Sequence, residues 1–220
     1  MSLGALIKKD FRLVWRRKGQ AFSLFAFGAT VLLLFSFTAR PATELLSLHG
    51  GGYLWVALLL ATALLVNDSF VPDQEEGALT GLLLLPVPAH RLFFAKALAN
   101  WLVLLLVGLF LLPILFALYD LPLKDTGGLM AALVLGTAGL VGPGTLYGAM
   151  AGIHRSGGIV TPLLLFPLVV PVIIASSQLT SLSLFGDPMG HAKGWGSVML
   201  AFDAIFWSLS GVLFAQVVDD

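Results

Sequence analysis

The sequence contains no cysteine, and only 11% of its 220 residues are charged. The absence of cysteine excludes disulfides, thiolate metal sites, iron–sulfur clusters and a cysteine nucleophile. Twelve Lys and Arg residues balance twelve Asp and Glu residues, so no net charge attracts the phosphates of nucleic acid. Soluble domains carry about 25% charged residues. The low charge therefore excludes an ordinary water-soluble enzyme.

Motifs for common catalytic chemistry are also missing. The sequence has no G-x-x-x-x-G-K-[ST] loop to hold a nucleotide, and no G-x-S-x-G or H-E-x-x-H motif. We therefore predict that the chain is not an enzyme, that it has no catalytic residues and no metal ligands, and that it does not hydrolyse ATP.

Long apolar runs dominate what is present. The chain is 58% hydrophobic, and its mean hydropathy is +0.97. A helix needs about 20 mostly apolar residues to cross a bilayer, and six runs approach this length. They cover residues 21–39, 53–71, 97–119, 129–153, 159–179 and 197–218. The sequence thus predicts an all-α polytopic membrane protein with six transmembrane helices in a single domain, residues 1–220.

The basic residues predict the orientation of these spans. Nine lie before span one, between spans two and three, or after span four, and three lie on the opposite side. Lys and Arg in short loops stay in the cytoplasm, so both termini are predicted to be cytoplasmic. Span one is predicted to be a membrane helix and not a cleaved signal peptide, because its apolar run is long for that role.

Apolar residues recur at helical spacing in the first twenty residues, and Lys8, Arg12 and Arg16 form a basic stripe opposite them. This pattern favours an amphipathic helix lying in the membrane interface. The alternative is a plain topology signal of scattered positive charges.

The segment after span two has helical signals of its own. Asp73 is suited to cap a helix, Glu76 to complete a capping box, and Pro86 to end the helix. We predict a short helix along the cytoplasmic face. Two roles stay open at this point: a docking surface for another protein, or a solvated connector.

Residues 70–96 read FVPDQEEGALTGLLLLPVPAHRLFFAK, and an AKxLAxW element begins at Ala95. Together with the chain length, the six spans and a proline-rich fifth span, these elements resemble the ABC-2 type exporter permeases. More closely, nearly the whole chain resembles the heme exporter protein B family of the cytochrome c maturation system.

This resemblance implies a permease subunit in the bacterial inner membrane that pairs with a second copy and with a soluble ABC ATPase subunit. It also implies a heme-handling membrane protein and a heme chaperone as neighbours. ATP would be hydrolysed in the partner subunit, heme would be a handled substrate, and this chain would bind no cofactor. The coupling-helix motif of the family falls on Glu75, Glu76, Gly77, Ala78 and Leu79, just after Asp73.

Histidine is a common ligand of heme iron, and the apolar runs place His49 and His191 in outer loops. Loop histidines are usually solvated surface residues, which is the favoured interpretation here. The five tryptophans are scattered along the chain, so no tryptophan-rich platform for heme is predicted.

A few polar residues lie within the spans. Asp203 should face protein or water, together with Trp207 and Ser210 on the same helix face, at a subunit contact or an aqueous cavity. Lys96 and Asn100 lie one turn apart at the inner end of span three, as a polar pair or a link to the coupling helix. Two roles stay open for each of these polar residues: hydrogen bonding that holds neighbouring helices together, or a part in transport.

Three glycines, Gly144, Gly148 and Gly152, form a small-residue stripe on span four that predicts close helix packing. Two other functions remain open for the whole chain. One is an ABC-2 permease for a drug or lipid, and the other is a non-conducting scaffold that anchors an ATPase.

Overall fold

The computed structural model describes residues 18–38, 43–75, 89–153 and 157–219, and these form helices joined by short turns. In chain order the helices are α1 (Lys18–Thr38), α2 (Thr43–Glu75), α3 (Ala89–Tyr119), α4 (Thr126–Ile153), α5 (Gly157–Phe185) and α6 (Ala192–Asp219). No strand occurs among the described residues. The predicted all-α class is confirmed.

Five helices contain stretches long and apolar enough to cross a membrane. These stretches are Ser47–Phe70, His90–Tyr119, Thr126–Met150, Leu164–Phe185 and Ala192–Phe214. The described apolar part of α1, Phe22–Thr38, is shorter, so a crossing by α1 stays a prediction. The chain is a polytopic helical membrane protein, and the predicted amphipathic helix before α1 lies outside the described residues.

The helices extend beyond the apolar runs, most clearly in α2. This helix begins at Thr43, ten residues before the predicted span, and includes the triplet Gly50–Gly52. A Cβ on Gly50 would lie 3.1 Å from Leu121 Cδ1, and one on Gly51 would lie 3.2 Å from Thr180 Cγ2. Close packing on these glycines offsets their poor helix propensity. The predicted outer-loop position of His49 is therefore wrong, because His49 belongs to α2.

Helix α4 lies at the centre of the bundle and contacts α2, α3, α5 and α6. Its apolar stretch is 72% buried, whereas that of α6 is 28% buried. Glycines make this central position possible. At Gly136 a Cβ would overlap the Trp55 ring of α2 and lie 2.5 Å from Ser176 Oγ of α5, so only a residue without a side chain lets both neighbours approach.

The turn between α5 and α6 is fixed by hydrogen bonds. The Asp187 carboxylate accepts hydrogen bonds from the backbone N–H groups of His191 and Ala192, each at 2.8 Å. These donors, that of Ala192 foremost, lower the pKa of Asp187. Gly186, with φ of 104°, ends α5 in the left-handed conformation that glycine favours. The connection between α5 and α6 is therefore short and is held by its own hydrogen bonds.

Candidate functional site: the polar cluster where α2 meets α3

The predicted coupling helix lies only partly within the described residues. Helix α2 continues through Asp73 to Glu75, so the prediction that Asp73 caps a new helix is wrong. The backbone of Asp73 extends the existing helix, and an N-cap residue lies outside helical geometry. Glu76, Gly77, Ala78 and Leu79 lie outside the described residues. The structure does describe the two helices that flank this segment.

A buried amide joins the helices α2, α3 and α4. Asn100 of α3 is 2% exposed. Its Nδ2 donates to Ser69 Oγ of α2 and to Thr145 Oγ1 of α4, each at 3.3 Å. Ser69 in turn donates to the Val66 carbonyl at 2.9 Å. Since each partner belongs to a different helix, these bonds fix the relative positions of α2, α3 and α4.

Lys96 adds a second connection one turn earlier on α3. Its side chain is 7% exposed, and Nζ lies 4.3 Å from the centroid of the Phe70 ring of α2. A desolvated ammonium over an aromatic face is attracted to the ring. Ser69 and Phe70 are consecutive, so Lys96 and Asn100 contact adjacent residues near the end of α2. We call Ser69, Phe70, Lys96, Asn100 and Thr145 the junction cluster.

The glycine stripe of α4 lies against the same part of α2. A Cβ on Gly144 would lie 3.3 Å from Val66 Cγ2, and one on Gly148 would overlap Val66 and lie 3.1 Å from Phe70 Cδ2. These two glycines let the α2 backbone approach α4 closely. The packing around Gly152 lies outside the described residues.

The α6 residues lie on another side of α4. Trp207 Nε1 donates to the Ala138 carbonyl at 3.0 Å, and a Cβ on Gly142 would lie 3.0 Å from the indole. Asp203 Oδ1 is buried opposite Gly139 and has no hydrogen-bond partner within the described part of the chain. This face of α6 therefore packs on α4 of the same chain.

The structure does not bring Asp203 and Asn100 together. Their neighbours on α4, Gly139 and Thr145, are six residues apart, about 9 Å along the helix axis. The histidines also stay apart from the cluster. His49 is exposed, with its ring 6.4 Å from that of Tyr53, and His191 is exposed in the turn before α6. Among the described residues, no group of His, Asp and Glu side chains could hold a metal ion.

Several polar contacts could not be found from the sequence. Trp55 Nε1 of α2 donates to Thr180 Oγ1 of α5 at 3.0 Å, and Ser69 and Thr145 complete the bonding of Asn100. Hydroxyl residues are frequent in membrane helices, where they can bond to their own backbone. Their spacing therefore gave no signal that these particular hydroxyls bond across helices.

The junction cluster offers hydrogen bonds and one cation and contains no arrangement for covalent chemistry. Its contacts hold α2, α3 and α4 together. The sequence profile of the CcmB protein family matches residues 1–219. The chain belongs to this family.

Several curated proteins align with this chain over most of their length. A protein of Bradyrhizobium diazoefficiens named heme exporter protein B is 35% identical over 180 residues, which are 80% of this chain and 81% of the relative. Proteins with the same name from Pseudomonas aeruginosa and Paracoccus denitrificans are 34% and 35% identical. They cover 84% and 90% of this chain, and 84% and 91% of their own lengths.

Proposed function

We propose that this chain is the transmembrane permease subunit of an ABC transporter complex that handles heme for the biogenesis of c-type cytochromes. The observation that carries the proposal is the family match over residues 1–219. The relatives named heme exporter protein B support heme as the substrate. The helical bundle, with five stretches able to cross a membrane, suits a permease.

In this proposal a separate ABC ATPase subunit hydrolyses ATP and docks on the coupling segment, Asp73 to Leu79. The junction cluster supports this arrangement because its residues belong to the helix that precedes the segment in the chain, to the helix that follows it, and to α4. Lys96 and Asn100, on the helix that follows the segment, contact Phe70 and Ser69 on the helix that precedes it. A push on the segment would therefore move α2 and α3 as a unit, and Thr145 would pass the movement to α4.

The proposed complex contains a second copy of this permease, a heme-handling membrane protein and a heme chaperone. It resides in the bacterial inner membrane, with both termini of the 220-residue permease domain in the cytoplasm. Heme is a handled substrate and not a cofactor of this chain. The intrachain packing of Asp203, Trp207 and the α4 glycines supports a structural role for these residues.

The test is mild detergent purification of the tagged chain from its own host, followed by mass spectrometry of the co-purifying proteins and a heme absorption spectrum. We expect an ABC ATPase together with proteins of cytochrome c maturation. An ATPase with unrelated neighbours, and intact c-type cytochromes after deletion of the chain, would instead indicate a permease for a drug or lipid.

The scaffold alternative needs a separate measurement. Variants that disturb Asn100, Asp203 and Gly148 while keeping the coupling segment should impair cytochrome maturation if the bundle moves during the cycle. Full maturation at normal protein levels would favour a scaffold that anchors the ATPase and moves nothing.

A further inference from the structure

Asp203 is an acidic residue near the middle of the apolar stretch Ala192–Phe214 of α6. Its Oδ1 atom is buried and has no hydrogen-bond partner within the described part of the chain. The residue as a whole is partly exposed, so its side chain lies where the bundle meets its surroundings. A carboxylate in hydrocarbon is costly unless another group pairs with it. Asp203 therefore calls for a partner that the described residues do not supply.

The helices against which Asp203 packs contain no residue of opposite charge. Its Oδ1 atom faces Gly139 of α4, in a space that Val172 of α5 also borders. Neither α4 nor α5 contains a Lys, Arg or His. The one basic residue of α6, Lys193, is ten residues away, which is about 15 Å along the helix axis. Packing on α4 thus holds the carboxylate in place without neutralising its charge.

The side-chain donors that follow Asp203 on α6 are engaged elsewhere. Trp207, one turn further along, donates its indole N–H to the Ala138 carbonyl of α4 at 3.0 Å. Ser208 donates its hydroxyl to the Ala204 carbonyl of its own helix at 2.7 Å. An indole and a hydroxyl each have a single proton to donate, so neither is left for Asp203.

Helix α6 leaves room for a neighbouring helix beside Asp203. Only 28% of its apolar stretch is buried, the smallest share among the five such stretches of the described chain. Leu200 and Ala204 are exposed, and they lie about 60° and 100° from Asp203 around the helix axis, both on the same side of it. The small side chain of Ala204 permits a close approach. A helix that packs along Leu200 and Ala204 would therefore reach the carboxylate.

Charge decides which neighbour suits this surface. A second copy does not suit it, because a two-fold axis would place Asp203 opposite Asp203 of the partner subunit, and like charges across an interface repel. Lipid headgroups do not suit it either, since they lie about 15 Å from the middle of the bilayer. Acidic and basic residues inside a membrane pair with one another.

We propose that Asp203 forms an ion pair with a Lys or Arg in a transmembrane helix of a different protein, and that this helix packs on α6 along Leu200 and Ala204. The proposal rests on the part of the proposed function that places another membrane protein beside this chain. It assigns that protein a surface and a chemical requirement, a basic side chain at the depth of Asp203, and it does not depend on heme.

Photo-crosslinking of the full chain in membranes of its own host locates the neighbour. A benzoylphenylalanine replaces either Leu200, beside Asp203, or Ile205, about 200° around the axis at nearly the same depth. The two native side chains match in exposure, at 57% and 59%. We expect position 200 to crosslink to a membrane-spanning peptide with a Lys or Arg, identified by mass spectrometry, and position 205 to label lipid. A crosslink from position 200 to lipid alone, to a second copy or to a span without a basic residue would overturn the proposal.

The role of the charge is tested by Asp203→Asn, which keeps the size of the side chain. We expect the crosslink from position 200 to weaken by about fivefold to thirtyfold, the range for one polar contact between membrane helices. Ser208→Ala is the control, because this exposed hydroxyl bonds to its own helix, and it should cause no change. Undiminished crosslinking in Asp203→Asn would refute the ion pair.

An exchange of charges gives the decisive result. Asp203→Lys should abolish the crosslink while the ATPase still co-purifies, which shows that the variant is folded. Replacement of the partner's basic residue by Asp should then restore the crosslink. Failure of this exchange would overturn the ion pair and leave the ATPase and heme parts of the proposed function standing. Conversely, a restored crosslink to a protein unrelated to cytochrome maturation would support the role of Asp203 and contradict the proposed function.

Discussion

Asn100 shows how a single buried amide can organise a membrane bundle. It provides two N–H donors, and hydroxyls on two other helices accept them. In hydrocarbon an unpaired amide is costly, so the arrangement of α2, α3 and α4 that pairs the amide is favoured over others. Lys96 acts similarly through Phe70. At the scale of the residue, a small number of polar contacts is enough to determine how the apolar surfaces of the helices align.

Replacement of Asn100 tests this role. Asn100→Leu keeps an apolar side chain of similar size but removes both donors, and we expect the free energy of unfolding to fall by about 1–2 kcal/mol. Chemical or thermal unfolding in detergent measures the change. Thr30→Ala is the control, because Thr30 bonds only to its own helix and should alter stability little. Equal stability of the two variants would show that the bonds of Asn100 do not hold the helices.

Asp187 gives a pH-dependent prediction at the start of α6. Backbone donors lower its pKa, so the carboxylate binds protons less readily in the folded chain than in the unfolded one. The stabilisation is therefore complete above the unfolded pKa of about 3.9 and is lost as the pH falls through the lower folded pKa. Near neutral pH we expect Asp187→Ala to speed amide hydrogen exchange at His191 and Ala192.

Lys193→Ala is a suitable control for this measurement, since Lys193 is exposed on the first turn of the same helix. Exchange at His191 and Ala192 should stay slow in this control. Equally fast exchange in both variants would mean that Asp187 does not cap α6.

Small residues determine how closely the elements approach one another. Gly136 leaves room for the Trp55 side chain, and Gly148 leaves room for Val66 and Phe70. Helix α2 therefore packs against α4 over much of the length of α2. The same property explains the length of α2, where Gly50 and Gly51 remain helical because Leu121 and Thr180 pack on them. At the scale of the element, these glycines are packing positions and not breaks.

A pair of glycine substitutions tests this distinction. Gly148→Ala puts a methyl group into Val66, whose branched side chain adjusts poorly, and we expect a loss of about 1–3 kcal/mol of stability. Gly196→Ala enters open space, with nothing within 4 Å. It should be neutral or stabilising by up to about 1 kcal/mol, because alanine favours a helix. Thermal unfolding of both variants in the same detergent gives the comparison, and equal losses would contradict the packing role.

Composition was sufficient to predict the class of the whole molecule, because crossing a bilayer demands apolar helices whose length the sequence displays directly. It could not predict the end of α2, since local signals at Asp73 favoured a new helix where the structure continues the old one. Nor could it predict that Ser69 and Thr145 meet Asn100. Contacts across helices depend on how the helices are rotated about their axes, which spacing along one helix does not encode.

The arrangement of the whole molecule leads to a prediction about the α2–α3 connection. The junction cluster joins α2 and α3, the two helices on either side of this connection. Helix α4 links both of them to the rest of the bundle. In the proposed complex the acidic residues Glu75 and Glu76 contact the ATPase, so Glu75→Lys with Glu76→Lys should abolish its co-purification. In this proposal the two carboxylates attract the ATPase, so a basic side chain at each position would turn attraction into repulsion.

The control reverses a charge at the opposite end of the bundle. The control is Lys193→Glu. Lys193 lies at the start of α6, whose other end is at Asp219. The ATPase should still co-purify with this variant. Asn100→Leu adds a third result: it keeps the acidic contact but loosens the junction, so the ATPase should bind while cytochrome maturation declines. Retention of the ATPase by the double Glu variant would refute the proposed docking segment. Full maturation in Asn100→Leu would refute the junction as the route by which the ATPase moves the bundle.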